Sequence, residues 1–140
     1  MPMGPAPLGF AYFLGVKFAG YAAAAYVLRK AYPDFKGSIV RVGAARTAIG
    51  IGAGLAYGAI WWYGTSLLHS ANPSMIFYFI GLLPVRIVEW MWLMHLFFDR
   101  RLTDAQKAFR VSAGGTAWSY CLDAIGIGAA LVVPGGIWVC

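Results

Sequence analysis

The sequence predicts an all-α integral membrane protein. It is a four-transmembrane-helix bundle with a short interfacial cytoplasmic helix between spans three and four, and it forms one domain over residues 1–140. Three observations lead there. Hydrophobic residues make up 61% of the chain and charged residues only 11%, against roughly a quarter charged in soluble domains. A body of this size has too little interior to hide so much apolar surface from water. Four stretches also reach the length of about 20 apolar residues that a ~30 Å hydrocarbon layer requires of a helix. None of these stretches alternates apolar and polar residues as a membrane β-strand must.

The first stretch covers residues 8–28 and holds one charge, Lys17. Pro33, Asp34 and Gly37 then mark a turn, and Ser38 is placed to cap a helix that starts ahead of the second stretch, 44–68. Arg46 stands near the start of that stretch, close enough to its end to snorkel to water, so no role is assigned to it. The segment His69–Ser74 is short and polar, which makes spans two and three a hairpin with Ser74 as the cap. The third stretch, 75–98, contains Pro84, Arg86, Glu89 and His95. Pro84 removes a helix hydrogen bond and kinks the helix beside Arg86. Thr103, Asp104, Ala105 and Gln106 match a capping box. Ala105, Ala108, Phe109 and Ser112 share one face of the short interfacial helix that follows. Gly114 and Gly115 break it before the fourth stretch, 116–139, which holds Asp123 and Pro134.

The basic residues set the threading. Of the 11 Lys and Arg residues, all but Lys17 and Arg86 cluster around the first and third connections. Both of these connections must lie on one side if four spans thread, and cationic loops stay in the cytoplasm. The expectation is a multi-pass protein of the cell (inner, cytoplasmic) membrane with both termini outside. No basic segment precedes the first span, so the pattern is that of a retained anchor and not a cleaved leader. Trp61, Trp62, Tyr63 and Trp138 near the outer ends, and Tyr26, Phe98 and Trp118 near the inner ends, suit the two interfaces. The net charge of +6 is thereby explained by topology and by contact with anionic lipid; it does not imply a nucleic-acid partner.

Leucine gives membrane helices little reason to associate, whereas small residues let them approach closely. Gly50, Gly54 and Gly58 recur every four residues in span two, and Gly15 and Ala19 (with Ala23) in span one. They predict close packing of these helices on each other or on a partner. Ala124 and Gly128 repeat the spacing in span four.

A charge in mid-bilayer costs at least ~2.5 kcal/mol and faces protein or water. Lys17, Arg86, Glu89 and Asp123 sum to zero, and counting from the helix ends puts them within about 10 Å of one another in depth. The expectation is an intramembrane charge network of these four in the bundle interior. Such a network either fixes helix register or carries ions, protons or a polar substrate. His69 and His95 fall near opposite faces and cannot share one metal. His95 alone can serve as an axial ligand to haem or a chlorophyll; nothing else in the sequence calls for a cofactor, and no metal site is expected. Cys121 and Cys140 are about 28 Å apart along one helix and cannot pair with each other. There is no nucleophile beside a base, no HExxH and no phosphate-binding loop, so no enzymatic activity is expected. The first functional expectation is a non-catalytic structural or accessory subunit of a larger membrane complex, whose partners are the bilayer and other membrane subunits or further copies of itself. The alternatives are a small oligomeric ion- or proton-coupled transporter or channel, and a pigment- or haem-binding subunit.

Overall fold

A computed structural model describes residues 7–67 and 75–130. Among them the protein is all helical. Its elements are α1 (Pro7–Ala31), α2 (Ile39–Leu67), α3 (Met75–Phe97) and α4 (Ala105–Ala130). The segment His69–Ser74 and the residues Pro134, Trp138 and Cys140 lie outside the described residues, as does the second half of the span expected over 116–139.

Three of the helices are long and apolar enough to cross a membrane, over Gly9–Ala31, Ile39–Leu67 and Ile76–Phe97; α4 is not one of them over its described residues. Phe13, Tyr21, Trp90, Leu93 and Leu122 are buried, while Leu55, Ile60, Trp62, Phe77 and Val88 are exposed. Large side chains left on the outside of α2 and α3 are the pattern of a protein whose solvent is lipid.

The helices pack in the cyclic order α1–α2–α3–α4, each touching the next and α4 closing on α1. Helix α1 ends where Pro33 cannot continue it, after Arg29 and Lys30 in its last turn, where cations suit the helix dipole. Ser38 immediately precedes α2 and accepts the Val42 amide on its carbonyl at 3.1 Å. The α1–α2 and α3–α4 connections meet at one end of the bundle. Phe35 stacks on Phe98 with ring centroids 4.6 Å apart. Lys107 Nζ donates to the Ala31 carbonyl at 3.0 Å and sits 4.2 Å over the Tyr32 ring. The two basic connections therefore share one side of the protein, as the threading required.

Two local expectations are corrected. The capping residue of α4 is Asp104, whose Oδ1 accepts the Lys107 amide at 2.8 Å. Thr103 instead donates its amide and its hydroxyl to Asp99, both at 2.8 Å. The interfacial helix and span four are also not separate: α4 runs unbroken through Gly114 and Gly115. The reason is tertiary. A Cβ on Gly115 would fall on the Trp90 ring, so the glycine is the space that Trp90 occupies, and packing outweighs the weak helix propensity of Gly.

The close approach of α1 to α2 is likewise displaced from the expected stripe. It occurs at Gly43, where a Cβ would meet the Ala22 backbone nitrogen at 3.2 Å. Gly15 and Gly58 border open space. Gly50 and Gly54 are buried, and the nearest group to a Cβ on Gly50 is the Arg46 guanidinium at 3.2 Å. Ala19 is exposed. Within this chain, the spacing of small residues thus marks room for a charged side chain more than a helix-to-helix seam.

The Asp99 turn holds Leu102 at φ 48°, a left-handed conformation unusual for leucine. Hydrogen bonds from the Thr103 hydroxyl, then from the Thr103, Arg101 and Leu102 amides, hold the Asp99 carboxyl below its ordinary pKa.

Two outcomes are expected. Gly43→Leu must move α1 off α2 and should lower stability in detergent by about 1–3 kcal/mol, whereas Gly15→Leu, facing open space, should leave the melting temperature within the scatter of surface variants. Asp99→Asn removes the charged acceptor of this turn, and at neutral pH trypsin should cut after Arg100 and Arg101 faster than in the wild type.

Candidate functional site

Among the described residues five charged side chains are buried in the bundle, and every helix supplies at least one. Lys17 comes from α1, Arg46 from α2, Arg86 and Glu89 from α3, and Asp123 from α4; none is more than 5% exposed. Lys17 Nζ lies 2.5 Å from Asp123 Oδ1, and Arg86 Nη2 pairs with Asp123 Oδ2. One carboxylate thus bridges two cations from two other helices. Burial of this kind requires partners, because a lone ion away from water carries several kcal/mol of penalty.

Glu89 is held differently. Its partner is Arg46, at 2.6 Å from Nη2 to Oε2. This corrects the expectation that Arg46 snorkels to water, since it is 0% exposed. Helix α2 begins at Ile39, five residues before the apolar stretch read from the sequence. Arg46 therefore sits about two turns inside the helix, beneath Val42 and Phe35, which are themselves buried. Lys17, Arg86, Glu89 and Asp123 all lie in the interior as the depth count indicated, but they form two ion-pair groups, and the second is completed by a residue the count set aside.

Polar side chains join the two groups. Lys17 Nζ donates to Tyr21 Oη at 3.4 Å, and Tyr21 Oη donates to Ser119 Oγ at 3.3 Å. Ser119 Oγ also receives Trp90 Nε1 at 3.0 Å and Arg46 Nη2 at 3.5 Å. Ser119 is thus the node between the Asp123 group and the Glu89 group. Aromatic faces complete the surroundings. The Arg46 guanidinium lies 4.8 Å from the Tyr21 ring centroid and 5.0 Å from that of Trp90. Arg86 lies 5.0 Å from that of Tyr120. Such contacts are each worth about 0.5–2 kcal/mol when desolvated.

The residues that sequence reasoning missed here are Arg46, Tyr21, Trp90 and Ser112. One signal was available: Ser112, Thr116, Ser119 and Asp123 recur at intervals of four, three and four, a single face of one continuous helix. Reading a break at Gly114 and Gly115 split that face in two.

Toward the end that carries the basic connections, the centre is closed by apolar side chains. Val42, Leu93, Met94, Ala25 and Ala108 are each no more than 1% exposed. His95 stands apart, exposed on α3. Among the described residues no group of three His, Cys, Asp or Glu side chains is arranged to hold a metal ion. Cys121 is a free, exposed thiol on α4.

Because Asp123 serves two cations and Glu89 one, the two carboxylates should differ under substitution. Asp123→Asn should cost about 3–5 kcal/mol, the range for breaking a buried pair, and Glu89→Gln should cost less. Unfolding of the purified variants in detergent checks the order. No family model matches this chain, and comparison with curated proteins and with solved structures gives no match.

Proposed function

We propose that the protein is a non-catalytic structural or accessory subunit of a larger membrane assembly, with α4 making the fourth crossing and the basic connections facing the cytoplasm. One observation carries the reading. Ala44, Ala48, Gly52 and Ala56 recur every four residues along α2 and are all exposed, and a Cβ on Gly52 would meet nothing within 4 Å. This second row of small residues, offset from Gly50, Gly54 and Gly58, faces away from the bundle. Ala48 and Gly52 of this row, with Ile49 and Ala53, form one wall of a groove of about 790 Å³ between α2 and α3, whose other wall is Pro84, Val85, Val88, Glu89 and Trp92. A shallow trough with a small-residue wall is what a further transmembrane helix packs into. The ion pairs closed within this chain also leave the outer surface apolar, as contact with lipid and with other membrane helices requires.

The alternative, an oligomeric ion- or proton-coupled transporter or channel, rests on the hydrogen-bonded path from Lys17 through Tyr21 and Ser119 to Arg46 and Glu89. Solute or proton flux in liposomes holding the pure protein would favour it over the subunit reading.

The native mass of the gently solubilised protein tests the proposal. It should exceed that of one chain, and Ala48→Leu with Gly52→Leu should weaken assembly by about 1–2 kcal/mol, roughly tenfold in the association constant. A single-chain mass for the wild type in mild detergent would overturn the subunit reading.

A further inference from the structure

The side of the bundle between α1 and α4 is not sealed. Ala23, Ala24 and Val27 of α1 and Val111 and Gly114 of α4 line an apolar groove of about 380 Å³, with Trp90 of α3 also in its lining. Small residues make the groove: Gly114 is exposed, and a Cβ there would meet nothing within 4 Å. The volume is that of a small-ligand cleft.

Side chains that cross from α4 to α1 bound the groove at both ends. At one end Trp118 Nε1 donates to the Gly20 carbonyl at 2.9 Å. At the other, Lys107 Nζ donates to the Ala31 carbonyl at 3.0 Å. About 16 Å of helix separates Gly20 from Ala31. The second end is cationic. Lys30 lies one turn beyond Val27 and Arg110 one turn before Gly114, so each continues a wall of the groove toward the basic connections, and both are exposed. With Lys107 they place three cations at this mouth. The carboxylate on the same turn of α4, Asp104, accepts the Lys107 backbone amide, and among the described residues no ion pair joins it to these cations.

We infer that this groove holds one anionic phospholipid. An acyl chain lies between the small residues of α1 and α4, and the phosphate sits at Lys30, Lys107 and Arg110. A cationic mouth at the end of the bundle with an apolar slot directly beneath it matches the two halves of such a lipid. A further transmembrane helix fits this groove less well. It needs a seam that stays open past Trp118 and Lys107, whereas a flexible acyl chain bends into a slot bounded at both ends. The inference does not need the subunit reading; it rests only on the α4 crossing proposed with that reading.

The test is native mass spectrometry of the purified full chain, released from detergent micelles that contain phosphatidylglycerol or phosphatidylcholine of the same acyl length. One phosphatidylglycerol per chain should be retained in preference to phosphatidylcholine. Lys30→Gln and Arg110→Gln should each weaken that retention about fivefold. Gly114→Leu fills the slot without removing a charge and should abolish it, while Gly15→Leu, which faces open space, should keep it. The α4 crossing is read separately, by protection of Cys121 from a membrane-impermeant maleimide in liposomes holding Cys140→Ser protein. Absence of lipid retention with Cys121 protected therefore counts against the site alone, and labelling of Cys121 counts against the crossing and the site together. Equal retention of the two lipids, phosphatidylglycerol that survives in Gly114→Leu, or a co-purifying polypeptide that Gly114→Leu displaces would each overturn the assignment.

Discussion

One carboxylate between two cations organises this protein. Asp123 on α4 holds Lys17 of α1 and Arg86 of α3, helices whose backbones lie diagonally across the bundle from each other. In a lipid setting the apolar faces of helices gain little by meeting one another, so the sequence needs another source of specificity. Buried charge provides it through penalty: any arrangement that separates Asp123 from Lys17 or Arg86 leaves an ion stranded away from water. Helix rotation and depth are fixed together, because all three side chains must reach one point.

The other buried features follow from the same constraint. Ser119, one turn before Asp123 on α4, is held at the level where Tyr21, Trp90 and Arg46 can all reach its hydroxyl. Trp90 can lie there because Gly115 leaves its ring a place. Tyr21 and Trp90 meet edge to face with centroids 5.9 Å apart, a favoured aromatic arrangement, and between them they cover the guanidinium of Arg46. The apolar layer of Val42, Leu93 and Met94 then separates this polar middle from the end that carries the basic connections.

Much of this was legible in the sequence. The apolar stretches located α1, α2 and α3 to within a few residues. Depth counting placed Lys17, Arg86, Glu89 and Asp123 in one interior region, because helical rise is constant and lipid forces partners on charges. The failures are specific. Arg46 was misjudged because hydropathy marks where a helix becomes apolar, not where it begins, and Ser38 starts α2 well before its apolar part. Gly115 was misread because the fit of a glycine under a tryptophan from another helix leaves no trace in local sequence. The stripe of Gly50, Gly54 and Gly58 suggests a packing seam, but within this chain the close approach of α1 to α2 falls at Gly43. That Gly50 lies against the Arg46 guanidinium follows only from the course of the Arg46 side chain.

The pairing of Lys17 with Asp123 links α1 to α4, and that has a consequence for biogenesis. Synthesis delivers the ammonium group long before the carboxylate that neutralises it exists. Until α4 emerges, Lys17 lacks the carboxylate it meets in the folded protein, while the rings of Phe13 and Tyr21 lie beside it on the same helix. The arrival of α4 and the locking of α1 are therefore one event, and a chain that lacks Asp123 leaves the Lys17 and Arg86 side chains without the carboxylate that joins them.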